Sequence, residues 1–346
     1  VEPILAGKCN MCHQADGVGP FTLDSYDSVF ALRDAISVSV TNRTMPPWLA
    51  EDSCGPHYVG DWSLTDSQID TIREWAENGG PEGDPALSKE AVVTADSWTE
   101  MSRVDLEVEM PVAYTPTSSP DDYRCFVVPW PETETSNVTG FVTLPGNQAI
   151  VHHVISYVVP PGSVDAALAL DDADPEPGYP CYGPARIQGQ YLPWISAWAP
   201  GASGGDFPPQ TGIKVEPGSA IILQAHYNVV MSDPAPDKSR MVFQVEPELP
   251  RIAALTPFTN YEWVSAGTMT IPAGEVTTHS FQMPFSQWVH VYSGGQLRRN
   301  ETLTIHEVNF HMHQMGVSGS IEIIRASGEE ECLLGINEWD FNWQLA

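Results

Sequence analysis

The chain has 346 residues, 42% of them apolar, enough for two or three compact units with real cores. It contains no run of about 18 apolar residues, so no membrane-spanning helix is expected. Acidic residues outnumber basic ones 45 to 15, for a net charge of −30; this argues against nucleic acid or an anionic membrane as partner and favours solubility, or a positively charged redox partner.

The sequence begins at Val1 without a signal peptide, so a mature, processed form is expected. Cys9-Asn10-Met11-Cys12-His13 has the C-x-x-C-H spacing of covalent haem attachment. Two thiols three residues apart reach the two vinyl groups of one haem, and the next imidazole falls under the iron. A zinc site would need a second ligand pair and a thioredoxin-like pair a βαβ pattern, and the sequence offers neither. Residues 26–40 and 65–78 are predicted helices, the second opening at a Thr65-x-x-Gln68 capping box and closing at Gly79-Gly80. Between them lies Arg43-Thr44-Met45-Pro46-Pro47-Trp48. A thioether on a loop stiffened by two prolines suits a sixth iron ligand, and Met/His ligation raises the haem potential as electron transfer requires. Met45 is the candidate and His57 its rival. Residues 1–85 resemble a small class I cytochrome c, all-α and carrying one haem c held by Cys9, Cys12, His13 and Met45. The Met-Pro-Pro-Trp loop matches a form of that domain often fused to larger ones.

Residues 81–95 are rich in Pro, Gly, Glu and Ala without apolar period, and residues 86–100 are assigned as a linker. Short alternating runs follow at 138–144, 149–159, 220–231, 241–245, 302–313 and 318–324, bounded by Pro, Gly, Asn and Asp. Such a pattern predicts two all-β antiparallel sandwiches, over 101–247 and 248–346.

Ten histidines occur, and five form three groups: His152-His153, His226 and His311-x-His313. Alternation over 302–313 puts His311 and His313 on one side of a strand, roughly 6–7 Å apart at the backbone, which lets both bind one metal. In the 220–231 run, Ile221, Leu223, Ala225, Tyr227 and Val229 form one row and Ile222, Gln224, His226, Asn228 and Val230 the other. Polar residues in the second row suggest a face opening onto a site. Adjacent His152 and His153 point opposite ways in a regular strand and share a metal only at a bulge or strand end. All-imidazole sites suit copper, zinc, iron or nickel. A neighbouring electron carrier makes redox-inert zinc less attractive.

Three stretches, Val151-His152-His153-Val154, Gln224-Ala225-His226-Tyr227 and Phe310-His311-Met312-His313-Gln314-Met315-Gly316, resemble in order and interval the type II copper, ascorbate-dependent monooxygenases. Peptidylglycine α-hydroxylating monooxygenase and dopamine β-monooxygenase are the best-known members. The resemblance covers roughly residue 104 to the end. It implies two copper-binding sandwiches, with His152, His153 and His226 holding an electron-transfer copper. His311 and His313 would hold a separate, oxygen-binding copper in the following domain and carry catalysis. The family's oxygen-binding copper also takes a downstream methionine, whose region this sequence does not show, so the second sandwich is expected to be incomplete. Met315 is the nearest candidate, though about 13 Å from His311 along an extended strand; Met283 is a weaker one. The resemblance further implies a small-molecule or peptide substrate, O2 and a redox partner or reductant.

Four cysteines remain. Cys125 and Cys181 both fall in the first sandwich and are expected to pair, whereas Cys54 and Cys332 find no partner. Haem c attachment places the protein in a bacterial periplasm or outside the cell, where disulfides persist. Trp194, Trp198, Tyr191 and Trp263 are candidates to line an apolar cleft. The leading expectation is a haem-linked copper monooxygenase hydroxylating a C–H bond. A haem/copper electron-transfer protein without oxygenase activity, and a binding module with haem as cargo, are the competing ones.

Overall fold

The computed structural model describes residues 1–341 except 11, 16, 18, 52, 56–57, 59–60, 85, 87–100, 200–203, 231, 261 and 264–265. His57 and nearly all of the assigned linker lie outside the described residues.

The N-terminal part is helical, with α1 (Glu2–Lys8), α2 (Tyr26–Ala31), α3 (Arg33–Thr41) and α4 (Asp66–Glu77) around Leu5, Val29, Ile36, Val40, Ile69 and Ile72. α4 begins at the expected capping box, with Thr65 accepting from the Gln68 amide and the Gln68 side chain accepting from Thr65. The single helix expected over residues 26–40 is two helices meeting at Leu32, whose φ of −107° and ψ of 6° leave the helical region. α1 was not expected; Pro3 sits in its first turn, where a missing N–H costs nothing, and its C-cap is Cys9.

The β part contains β1 (Leu106–Glu109), β2 (Asp121–Pro129), β3 (Ser136–Leu144), β4 (Val151–Val159), β5 (Tyr179–Pro180), β6 (Arg186–Ile187), β7 (Gln190–Tyr191), β8 (Trp194–Trp198), β9 (Gly205–Asp206), β10 (Thr211–Val215), β11 (Ala220–Asn228), β12 (Arg240–Glu246) and β13 (Arg251–Ile252). One sheet runs β1-β12-β3-β10-β13 with β9 also on β3, the other β5-β2-β11-β4-β8. Phe126, Val154, Val158, Ile221, Leu223, Ala225 and Tyr227 of the second sheet share a core with Val138, Ile213, Val215, Met241 and Phe243 of the first. The two rows expected of β11 are therefore present: one fills this core, and the other turns outward. Ile222 in the outward row is covered by a second cluster that includes Ala167 of α5 (Val164–Asp172), Tyr179, Ile187 and Leu192. The Cys125–Cys181 disulfide fastens that cover to β2, as expected.

β13 pairs in parallel with β10, and the Ala253 amide donates to the Gly212 carbonyl, so the first sandwich continues beyond residue 247. Past it, apart from helical residues 262–263, the regular elements among the described residues are α6 (Phe285–Tyr292) and one hairpin, β14 (Gly319–Ile324) with β15 (Glu330–Ile336). The expected second sandwich is not formed there, and residues 302–313 make no β-ladder. A strand needs a neighbour for its backbone N–H and C=O groups, and among the described residues β14 and β15 form a ladder only with each other, with a single bridge from Ile336 to Ala50 besides.

The hairpin docks instead on the helical part. Leu334 and Ile336 pack with Ala50, Trp48, Leu49, Tyr58, Val308 and Phe310. The Glu51 amide donates to the Gly335 carbonyl at 2.9 Å, and the Tyr58 hydroxyl donates to the Leu333 carbonyl at 2.7 Å. Cys54 and Cys332, expected to be partnerless, form a disulfide across this contact. Their separation of 278 residues explains why local pattern gave no sign of it.

Candidate metal centre

β4 and β11 are antiparallel neighbours, and their register sets His226 directly opposite His153. The next pair is Tyr227 with Val151, so β4 spends one extra residue there, and that residue is His152. This is the bulge that two adjacent histidines need in order to face one point. His153 and His226 are buried, and His152 is partly so.

The three rings present the same atom. His153 Nδ1 lies 3.4 Å from His152 Nδ1 and 3.3 Å from His226 Nδ1. Imidazole–metal bonds of about 2.0–2.1 Å at tetrahedral angles separate neighbouring ligand atoms by about 3.3–3.4 Å. Their outer nitrogens settle the tautomers. His226 Nε2 is 2.9 Å from the Asp121 carboxylate and His152 Nε2 is 3.2 Å from the Phe341 carbonyl, both of which only accept. Each Nε2 must therefore donate, which leaves an inward lone pair on both Nδ1 atoms. His153 can donate to only one of them, so at least one lone pair faces another, and a cation resolves that conflict. The donor set thus fits a metal, and outward donation to a carboxylate or carbonyl is what ligating histidines usually show.

Electrostatics agree. Burial drives His226 down to about 4 against the pull of Asp121. Burial, followed by the nearby His311, His226, His152 and His313 rings, holds His153 well below the usual range. Burial also lowers His152, although its Phe341 hydrogen bond opposes this. All three are neutral at pH 7, as ligands must be. Burial raises the Asp121 carboxyl, but hydrogen bonds from His226 and Asn228 outweigh it, and the net shift is downward. Sequence reasoning missed Asp121, and also Tyr123, whose ring stacks on His226 at 4.0 Å. Both sit on β2, and only the β2–β11 register brings them to His226.

His311 and His313 are exposed, with ring centroids 5.2 Å apart. They were expected in a separate domain, yet the His311 ring lies 5.2 Å from that of His153. The chain turns at residues 313–316, where the Gly316 amide donates to the His313 carbonyl, and Met315 stands 72% exposed on that turn. Met283 packs beside α6 with Trp288. Met283 and Met315 border the same cleft as His153, His311 and His313. A wide cleft leads to His153, His311 and His313 and is lined by Trp194, Trp198 and Trp263. Tyr191 packs against Tyr292 instead.

In the helical part, Cys9, Cys12, His13 and Met45 line one pocket whose walls include Leu23, Leu32, Ile36, Val40 and Trp62. His13 Nδ1 meets the Phe21 carbonyl at 3.1 Å, leaving Nε2 for a ligand. Cys9 and Cys12 are not in a disulfide, and burial pushes both thiols up to about 11. Reactive redox pairs show values shifted the other way, downward.

Residues 106–233 match the family model described as copper type II ascorbate-dependent monooxygenase, N-terminal domain. The match supports that family of copper oxidoreductases for the sandwich that holds the triad. It takes in His152, His153, His226 and Asp121 and ends before residue 302. No curated protein matches the chain. No helix among the described residues is long and apolar enough to cross a membrane.

Proposed function

We propose that the protein is a copper-dependent monooxygenase that hydroxylates a C–H bond of a small molecule or peptide, its electrons entering through a covalently bound haem c. The overall reaction is R–H + O2 + 2 e− + 2 H+ → R–OH + H2O, with a one-electron donor as the source of electrons. The observation that carries this reading is the convergence of three neutral Nδ1 atoms inside the segment that matches the copper monooxygenase family.

When bound, copper supplies one-electron redox chemistry and O2 activation, and haem c supplies one-electron storage. His152, His153 and His226 would hold one copper in a buried setting, with Asp121 fixing the orientation of His226. His311 and His313 would hold the other, on the exposed side where O2 and substrate arrive. The tryptophan-lined cleft would bind an apolar portion of the substrate and exclude water from it. Cys9, Cys12, His13 and Met45 would hold the haem. Haem c and two disulfides suit an oxidising compartment, the bacterial periplasm or the outside of the cell.

The exposure of Met315 favours one second reading, a haem/copper electron carrier without oxygenase activity. Oxygen uptake coupled to a hydroxylated product separates the two. His311→Ala should abolish the product and leave the haem absorption spectrum unchanged; full turnover by that variant refutes the assignment. Elemental analysis of copper-reconstituted protein should give one iron and two coppers per chain.

A further inference from the structure

We infer that Phe341 is a positioning residue of the triad: its ring and its carbonyl together hold His152 in the orientation and tautomer that a metal ion needs, so the sandwich does not complete the site by itself. The inference rests on the copper reading above. A comparison of two ligands carries it. His226 has an acceptor and a stacked ring behind it, the Asp121 carboxylate at 2.9 Å and the Tyr123 ring at 4.0 Å, and both come from β2, the strand next to its own. His152 has the same two supports, a carbonyl 3.2 Å from Nε2 and a ring stacked at 4.4 Å, and one residue supplies both. That residue lies 189 positions away along the chain, outside residues 106–233 that match the family model. His152 needs such support more than its neighbours do. It is the extra residue of the β4 bulge, where the ladder is interrupted, whereas His153 and His226 face each other in register.

Phe341 is in turn held by a train of contacts that begins in the helical part. The Cys54–Cys332 bond, the Tyr58 hydroxyl on the Leu333 carbonyl and the Glu51 amide on the Gly335 carbonyl fix β15. Trp339 packs on the Ala50, Leu334 and Ile336 cluster that this docking creates, and its amide donates to the Val317 carbonyl at 2.8 Å. A Cβ at Gly316 would lie 3.0 Å from Trp339 Cδ1, so the backbone of that turn meets the indole closely. Two residues on, Phe341 reaches His152. Hairpin docking and metal binding are therefore linked in both directions. Loosening the hairpin withdraws the support of one ligand, and an ion that draws His152 into place favours the docked hairpin.

Cu(II) binding to the full chain carrying His311→Ala and His313→Ala, so that the signal reports the triad, tests this by chelator competition and electron paramagnetic resonance. In that parent, Phe341→Ala should lower copper affinity about 10-fold, as loss of an outer partner of a ligating imidazole does. It should also change the nitrogen hyperfine pattern, as His152 leaves a set of three imidazoles. Phe341→Tyr keeps both ring and carbonyl and should restore both readouts. Cys54→Ser with Cys332→Ser should shift both in the same direction as Phe341→Ala. The melting temperature of metal-free protein should stay level across the Phe341 series, whereas a residue that only packs would lower it and leave the spectrum alone. Affinity and spectrum unchanged in Phe341→Ala would overturn the inference, as would an equal loss in Phe341→Tyr or an unchanged affinity without the disulfide. A parent that takes up no copper refutes the copper reading and the inference with it. A parent that binds copper, with an unresponsive Phe341→Ala, removes the inference and leaves that reading.

Discussion

In the sandwich, His153 and His226 face each other across a continuous β4–β11 ladder and are 7% and 1% exposed. In residues 302–313, His311 and His313 are exposed on a segment that has no ladder at all. The first pair is positioned by register, which every inward residue of both strands helps to fix, since a one-residue slip would put Leu223 and Ala225 outside. The second is positioned by docking of a hairpin against a different part of the molecule. The first pair is held rigidly and away from water, whereas the second is open to the cleft. A site that stores an electron and a site that meets O2 and substrate would divide the work in that way.

Stability should divide along the same line. Leu223 is fully buried between the sheets, and its replacement by Ala should cost about 2–5 kcal/mol. Ile324 on the hairpin is 46% exposed, and the same change should cost less than about 0.5 kcal/mol. Urea denaturation of the two variants measures the contrast, and equal losses would erase the distinction drawn between the regions.

Acid should strike the sandwich first in metal-free protein. Burial lowers His226 from 6.5 to about 4 in the folded chain, so between those values the unfolded chain binds the extra proton. Its stabilising contribution is whole above pH 6.5 and is lost as pH falls through about 4. The loss from His226 alone is of order 3 kcal/mol. Chelator-treated protein should melt markedly lower at pH 4.5 than at pH 7.5, and copper saturation should raise the pH 7.5 melting temperature. A flat profile would mean that His226 is not held neutral by its surroundings.

The docked region depends on its staple. Cys54→Ser with Cys332→Ser should weaken hairpin docking by about 2–4 kcal/mol. Limited proteolysis should then cut residues 302–341 faster, while the sandwich melts unchanged. Loss of the sandwich transition as well would show that the two regions fold as one.

The same contrast explains what the sequence could tell. The triad was legible because strand alternation reports which side chains share a face, and His226 stands in the outward row of β11 together with Gln224. The capping box at Thr65 and the attachment spacing at Cys9 are also local patterns. The Cys54–Cys332 bond, the docking of Ala50 on Ile336 and the approach of His311 to His153 depend on how separate segments meet, which no short-range period encodes. The second sandwich was expected because alternation over 302–313 resembles a strand, but alternation does not supply a partner strand. Asp121 was missed for a related reason. Its place opposite Asn228 follows from the pairing of β2 with β11, and an aspartate opening a strand carries no mark of its own.

Asp121 therefore gives the finest test of the register-built site. Its Oδ1 accepts from both His226 Nε2 and Asn228 Nδ2, at 2.9 and 2.8 Å. Asp121→Ala removes the acceptor and frees the His226 ring to adopt the other tautomer, which places a proton where the metal would sit. Asp121→Asn keeps an acceptor but loses the charge that makes the imidazole a better donor to a cation. Copper affinity, measured by competition with a chelator, should fall about 10–100-fold in the alanine variant and less in the asparagine variant. A packing role predicts the opposite order of concern, with melting temperature lowered and affinity unchanged. A graded loss of affinity at constant melting temperature would show that the carboxylate acts on the metal through the ring.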